Sequence, residues 1–519
     1  MPAPNEKLAA SLNVLKRLQH DGRRVFESRE FSRVHRERLL RFGFLREVIK
    51  GWLISSDPGT QDGDSTPWHA SFWEFCARYC EERFDTAWHL SPAQSLLLHS
   101  DSTVIPTQVV VHSPRGANNK IDLPFGTSLY DLKEKEVPLA SDMTMRDSLR
   151  LYSRAAALVR VSERFISRNP VETRVVLANV ADVGEILRLL LLGGQSVVAG
   201  RLAGAFRRVG HNDDADEILS VMRAAGYQVR EKDPFTPDQP ITKLAASPQP
   251  LVGRLRAMWQ AMRGQVIESF PDPPGPPADR ESYLRAVDDS YQSDAYHSLS
   301  IEGYDVSPDL IERVASGDWN PEDSAADRAS RDALSARGYW LAFQRVRRDI
   351  AKILDGAEPA DVVRRSHREW YRELFEPCVA AGLVDAPALS GYRNDAVYLR
   401  TSRYVPPRWE AVIDAMATVF ELLSGESEPS VKAVLGHWLL GYIHPYPDGN
   451  GRIARFLMNA MLASGGYPWT VIRISDRELY LTALDRASID QDIGPFARFV
   501  AERVRWSKSS RFGTNQHRR

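Results

Sequence analysis

Two proline-rich passages, Asp233-Pro234-Phe235-Thr236-Pro237-Asp238-Gln239-Pro240 and Pro271-Asp272-Pro273-Pro274-Gly275-Pro276-Pro277, constrain this chain more than any other feature. Proline lacks a backbone donor and its ring blocks helix, so regular structure is expected to break at both passages. The main boundary therefore falls between residues 231 and 279, which read as a linker. With 519 residues the chain exceeds a single core of ordinary size, so further divisions are expected on either side. Residues 1–55 carry short helical patterns ending in the apolar run Phe42 to Leu53, which reads as a turn and hairpin, a winged-helix look. Residues 56–140 mix helical segments with β-rich runs such as Val104 to His112, a small α+β unit. Residues 141–230 are helical again, and the small residues of Ala199-Gly200-Arg201-Leu202-Ala203-Gly204-Ala205 allow close helix contact. Helical periodicity then dominates residues 280–506, and the polar tail 507–519 is expected to be flexible. The predicted fold class is mainly α.

Charge excludes some partners. Lys and Arg total 67 against 68 Asp and Glu, so no whole-protein field points to nucleic acid or membrane. The one local exception is residues 1–50, where twelve Lys or Arg face six Asp or Glu, 12 − 6 = +6; this makes DNA a candidate partner for residues 1–55. The most apolar stretch, Ile186 to Leu192, is interrupted by Arg188, and the first residues lack a signal-peptide layout, so no membrane association is expected. Cys76, Cys80 and Cys378 make neither a metal quartet nor a disulfide framework, which fits a reducing cytoplasm.

Chemistry concentrates in one loop. The apolar helical pattern Ala433 to Leu440 runs into His444-Pro445, where proline stops it, and a new helix resumes around Arg452. Gly449-Asn450-Gly451 opens that helix. Glycines there let backbone N–H groups approach a ligand, and the helix N-terminus adds partial positive charge, so the turn is an anion nest. Arg452 and Arg455, three apart on one helix face, supply two fixed cations for a polyphosphate. Asp448 can hold Mg²⁺ beside phosphate oxygens, and His444 can take a proton from an attacking hydroxyl. A lone histidine at a helix end is most often a cap, and arginines three apart are most often surface decoration. The seven identities His444, Pro445, Gly449, Asn450, Gly451, Arg452 and Arg455 together arise by chance on the order of once in a billion starting positions.

The stretch His444 to Arg455 resembles the signature of the Fic family, His-Pro-Phe-x-Asp/Glu-Gly-Asn-Gly-Arg-x-x-Arg, with Tyr446 in place of the usual Phe. The likeness is taken to cover roughly residues 280–505 and implies an all-helical core with a small β-hairpin flap. It implies AMP transfer from ATP, with Mg²⁺, to a Ser, Thr or Tyr hydroxyl of a target protein, the chain itself and a second copy being further candidate partners. It assigns His444 as the base and Asp448 as metal ligand. Asn450 and Gly451 then lie at the α-phosphate, Gly449 is a further nucleotide-binding residue, and Arg452 and Arg455 lie at the outer phosphates. Tyr480 falls where relatives place an aromatic against the nucleotide, while Ser488 stands where some have Asn near adenine. Ser390 to Arg393, continuing through Val397-Tyr398-Leu399 to Pro406-Pro407, resembles the flap that docks the target.

Ser298-Leu299-Ser300-Ile301-Glu302-Gly303 resembles the inhibitory pattern Ser/Thr-x-x-x-Glu-Gly/Asn of the same family. In that reading Ser298, Glu302 and Gly303 form an inhibitory turn in which Glu302 pairs with Arg455 and takes the place of the γ-phosphate. Other activities stay open for such cores, including AMP removal with Glu302 aligning water, or transfer of UMP, phosphocholine or phosphate. The winged-helix look and the run Arg201 to Arg208 loosely resemble AbiEi-type antitoxins, which implies a competing reading: a DNA-binding, toxin–antitoxin-like regulator with a Fic effector core.

Overall fold

The structure, a computed structural model, describes residues 4–61, 63–235, 249–317 and 331–513. The polypeptide divides into two units. The first comprises Met1–Arg254 together with Tyr398–Val405, and the second Leu255–Val397 with Pro406–Arg519.

The first unit opens with α1 (Pro4–Leu18), β1 (Val25–Glu27), α2 (Arg33–Arg41), β2 (Leu45–Ile49) and β3 (Trp52–Ser55). Ser32 caps α2 by accepting from the His35 N–H. The expected hairpin forms from β2 and β3, and β1 completes an antiparallel sheet of order β1-β3-β2. Phe26, Leu39, Leu45 and Leu53 close its core. Next come α3 (Thr66–Phe84), β4 (His89–Leu90), α4 (Pro92–His99), β5 (Val109–Ser113), β6 (Asn119–Asp122) and β7 (Ser128–Lys133). These strands make a sheet of order β4-β5-β7-β6, parallel only between β5 and β7. The apolar face of α3, with Phe72, Phe75, Cys76 and Cys80, is buried with Val109, Val111 and Leu129.

A short pair, β8 (Met143–Arg146) and β9 (Leu149–Tyr152), leads into α5 (Arg154–Arg160), α6 (Glu163–Arg168), α7 (Pro170–Ala178), α8 (Val183–Leu192), α9 (Ser196–Arg208) and α10 (Asn212–Ala224). Leu158, Leu190, Leu202 and Phe206 lie at the centre of this helical cluster. The small residues of α9 do permit a close approach, but of extended chain: a Cβ at Gly200 or Gly204 would collide with the carbonyls of Arg230 and Lys232. No helix of the described residues is long and apolar enough to cross a membrane.

Within residues 231–279, read as a linker, Pro250–Ser269 forms the 20-residue helix α11. The prolines flank this segment, and its single proline sits in the first turn, where no donor is needed. Leu251, Leu255, Met258, Trp259, Met262 and Val266 bury one stripe at helical spacing. Residues 236–248 of that stretch lie outside the described residues, as do 514–519 of the expected tail.

The second unit is helical throughout its described elements: α12 (Arg280–Ile301), α13 (Pro308–Ser316), α14 (Arg331–Leu354), α15 (Pro359–Ala380), α16 (Val412–Gly425), α17 (Pro429–Ile443), α18 (Asn450–Ser464), α19 (Arg477–Ile489) and α20 (Gly494–Gly513). Helices α17 and α18 carry the deepest core, including Val434, Leu435, Trp438, Ile453, Phe456 and Met461, each at most 1% exposed. Mainly α describes the molecule.

The expected flap hairpin does not form: among residues 391–407 no strand is present. The extended pattern of 396–401 instead finds partners in the first unit, to which Tyr398–Val405 belongs. Ile105 N–H donates to the Arg403 carbonyl at 2.8 Å, and the Arg403 guanidinium returns a bond to the Ile105 carbonyl at 2.8 Å. Arg400 pairs with Asp64 at 3.4 Å, and Arg24 lies 5.9 Å above the Tyr398 ring. A backbone carbonyl that another segment has already engaged is not offered to a hairpin ladder.

Candidate active site

Helix α17 ends because Pro445 cannot continue it, and His444 takes the left-handed conformation with φ 52° as the cap residue. The chain turns over five residues, and Gly449, at φ 77°, opens α18. A side chain at Gly449 would strike Phe375, so glycine is required both by conformation and by space. Within the turn the Asn450 amide closes on Tyr446 twice, accepting from its N–H at 2.9 Å and donating to its carbonyl at 2.8 Å. Tyr446 is itself stacked on Tyr371 at 4.1 Å. Asn450 thus shapes the loop, and the substituted aromatic keeps an anchoring role.

Arg393, a residue quoted above only as part of the flap, is the main brace of His444. It is 4% exposed and donates to the carbonyls of His444 (2.8 Å), Asp395 (2.7 Å), Ile443 and Pro407, while its own N–H bonds to the Pro445 carbonyl at 2.8 Å. An arginine between glycine-rich and polar loop residues gives no periodic signal, so pattern reading passes over it. The His444 Nδ1 faces the Gly441 carbonyl at 3.4 Å. Burial pushes the imidazole down to about 4, and the Arg393 charge adds to the effect. The ring is therefore neutral at physiological pH, ready to accept a proton.

Beside it lie two buried cations. Arg452 is 1% exposed and none of its three guanidinium nitrogens has a hydrogen-bond partner. Asp448 is 3.6 Å away, and the rings of Tyr304 and Phe375 sit at 5.2 and 5.0 Å. A buried guanidinium with its donors unspent is costly unless an anion joins it. Arg455 is 3% exposed and fully engaged on one side. Its Nε donates to Ser298 Oγ at 2.9 Å, its Nη2 to the Ser298 carbonyl at 3.2 Å and to Glu302 at 2.6 Å, while Nη1 has no partner.

Glu302 caps α12, and Gly303, at φ 89°, turns the chain away. Its carboxylate lies directly against the Cα of Gly451, since a side chain there would collide with Glu302 Oε1. Burial alone would raise the Glu302 carboxyl; the Arg455 and Arg452 charges outweigh it and hold the group below its ordinary value. A charged carboxylate thus sits over the glycine nest and on Arg455. Asp448, with its side chain 57% exposed, borders the same opening, and one of its oxygens accepts from the Gly449 N–H at 2.6 Å. Tyr480 is fully enclosed, its hydroxyl 2.8 Å from His437 Nε2 and next to Arg455, so it backs the arginine and presents no free face. Val397 is the last residue of its stretch of the second unit, and Tyr398 and Leu399 fall in the first unit.

The structure therefore brings His444, Asp448, Gly449, Gly451, Arg452, Arg455, Ser298 and Glu302 into one place in the second unit. Against known families, residues 359–462 match the Fic/DOC family model. Those residues form a Fic/DOC domain. They include all of the His444–Arg455 loop, whereas Ser298 and Glu302 on α12 and Tyr480 on α19 lie outside the matched span. The chain is 28% identical over 264 residues to "Protein adenylyltransferase Fic" of Nematostella vectensis, covering 50% of this chain and 58% of that protein. It is 28% identical over 222 residues to the protein of the same name from Drosophila virilis, 42% of each chain. Protein adenylyltransferase fic-1 of Caenorhabditis elegans is 26% identical over 223 residues, 42% of this chain and 40% of that protein. The chain thus spans less than two thirds of each of these relatives. A solved structure of Fic-1 from C. elegans is 20% identical and covers 67% of this chain and 97% of its own, with a TM-score of 0.38, too low to carry weight.

Proposed function

We propose that the chain is a protein adenylyltransferase that moves AMP from ATP to a hydroxyl of a protein, and that Glu302 holds it in an inhibited state. The observation that carries this reading is the buried Arg452, none of whose guanidinium nitrogens has a hydrogen-bond partner, beside a glycine nest that a tethered carboxylate already occupies. Such a cradle fits a polyphosphate. In the reaction the acceptor oxygen attacks the α-phosphorus, its proton passes to His444 Nε2, and the bond to the β-phosphate breaks to release pyrophosphate. Arg452 and Arg455 hold the outer phosphates, and the Gly451 region receives the phosphate chain at the helix N-terminus. Asp448, an exposed hard oxygen donor at the edge of the nest, is the residue that would hold Mg²⁺, which neutralises phosphate charge.

Three relatives named adenylyltransferases support the reaction class. Glu302 on Arg455 supports the inhibition, because the guanidinium cannot serve a carboxylate and a γ-phosphate at once. The test is intact-mass measurement of the Glu302→Gly protein incubated with ATP and Mg²⁺, alone and with lysate proteins. A gain matching AMP on the chain or on a target, greater than for wild type, is expected; no adduct from any nucleotide would sink the proposal. Three free, buried cysteines suit the reducing cytoplasm. Self-modification, a homodimer and DNA contact through the basic α2 of a winged-helix-like start are further partners. A salt-dependent gel shift tests the last.

A further inference from the structure

We propose that His89, His112 and Glu134 form a binding site for a single divalent transition-metal ion of the zinc class, unrelated to the nucleotide site. The three residues come from neighbouring strands. His89 on β4 and His112 on β5 are direct cross-strand partners, so their rings stand on the same face of the sheet. Glu134 follows the last residue of β7, which pairs with Ser113 on β5, and its N–H bonds to the Ser113 carbonyl at 3.1 Å. One ligand atom from each residue lies within 4.8 Å of the other two. A tetrahedral zinc site with bonds near 2.0–2.1 Å separates its donors by roughly 3.3 Å, so only side-chain adjustment is needed.

The three side chains are left in a conflict that a cation resolves. His89 Nδ1 is 3.2 Å from the Leu90 carbonyl, an obligate acceptor, so Nδ1 carries the proton and Nε2 the lone pair. That lone pair faces Glu134 at 3.6 Å, and the same carboxylate already accepts from His112 Nδ1 at 2.6 Å. With the Nδ1 proton committed to the Leu90 carbonyl, the His89 lone pair and the Glu134 carboxylate face each other as two acceptors with no proton between them. A metal ion replaces the missing proton. The Nδ1–H donation to a carbonyl is the outer support that metal-bound histidines use to fix their tautomer. Arg160, which lies over the ring of Tyr152 against which His89 packs, is itself paired with Asp142 at 3.1 Å. The Glu134 side chain is 38% exposed, which leaves an entry path and an open coordination position for solvent.

Two imidazoles with one carboxylate suit a borderline ion such as Zn²⁺ rather than Mg²⁺ or Ca²⁺, which prefer oxygen ligands. The ion would staple β4, β5 and the end of β7 together. The test uses the full chain stripped with chelator and titrated with Zn²⁺ by calorimetry, and with Co²⁺ by visible absorption. One saturable equivalent is expected, with a ligand-field band for Co²⁺ and a higher melting temperature with Zn²⁺ but not with Mg²⁺. His112→Gln, whose side chain is only partly buried, and His89→Gln should each weaken binding by more than the roughly 100-fold that loss of an outer support costs. Circular dichroism of the His112→Gln protein establishes that the fold persists. Absence of a saturable equivalent in wild type, or equal binding in folded His112→Gln, would overturn the assignment.

Discussion

Arg452 and His444 show what the site sacrifices. A guanidinium that is 1% exposed and has no hydrogen-bond partner destabilises the fold, so Arg452→Met is expected to raise the unfolding free energy by about 1–3 kcal/mol while abolishing nucleotide binding. Urea unfolding and ATP titration of the same variant check both halves. For His444 the expected pH dependence follows from its depressed value of about 4. A base that is neutral above that point keeps AMP transfer by Glu302→Gly flat from about pH 5.5 to 8, where an ordinary histidine would lose activity below about 6.5. Removing Glu302 takes away an upward influence on the ring, so the variant cannot hide the effect. His444→Ala should lose transfer and keep ATP binding, measured by labelled-ATP incorporation and equilibrium binding. The Glu302 carboxyl is held below its ordinary value, so the stability its ion pair contributes is present at neutral pH and is lost only as pH falls through that lowered value.

At the scale of elements, α17, the turn and α18 are joined by Arg393, which ties the C-terminal carbonyls of α17 to Asp395 and Pro407. Arg393→Ala in the Glu302→Gly background should cut the turnover rate by on the order of 100-fold with little change in ATP affinity, because it loosens His444 and leaves the phosphate cradle alone. Steady-state kinetics that show an unchanged rate would remove it from the machinery. The helix–turn–helix was legible in advance because Pro445, Gly449 and the apolar spacing each dictate local backbone. The pairing of Glu302 with Arg455 was legible only through a likeness, since nothing local joins residues 153 positions apart. Helix α11 was masked by the prolines on either side of it, although its stripe from Leu251 to Val266 repeats at helical spacing. The run 396–401 reads as extended in pattern, yet it forms no strand: Arg400 and Thr401 lie in a turn, Thr401 has φ 63°, and just beyond it the Arg403 carbonyl is taken by Ile105 rather than by a hairpin partner.

At the scale of the molecule, the chain passes between its two units three times, at 254–255, 397–398 and 405–406. A cut at the proline-rich region therefore does not release a complete first unit. Residues 1–254 made alone should unfold at a lower temperature than expected for an intact unit, because the Ile105 N–H and carbonyl lose Arg403 and the cluster around Val109 loses Val405. A peptide spanning residues 396–407 added in trans should restore part of the loss, read as a melting-temperature rise that saturates with peptide. No rise at any concentration would mean the segment contributes nothing to that unit.

The carboxylate resting on Gly451 has a consequence for control. On the proposed reading, the protein carries its own imitation of the substrate's terminal phosphate, tethered to a helix whose Asp294 is held by the Tyr339 hydroxyl at 2.6 Å. A tethered competitor cannot be diluted, and its local concentration is fixed by geometry at a level that free nucleotide must match. Rising nucleotide supply is then a weak key. The stronger one is any event that slides or unwinds the last turn of α12, which converts a question of metabolite abundance into one of helix position.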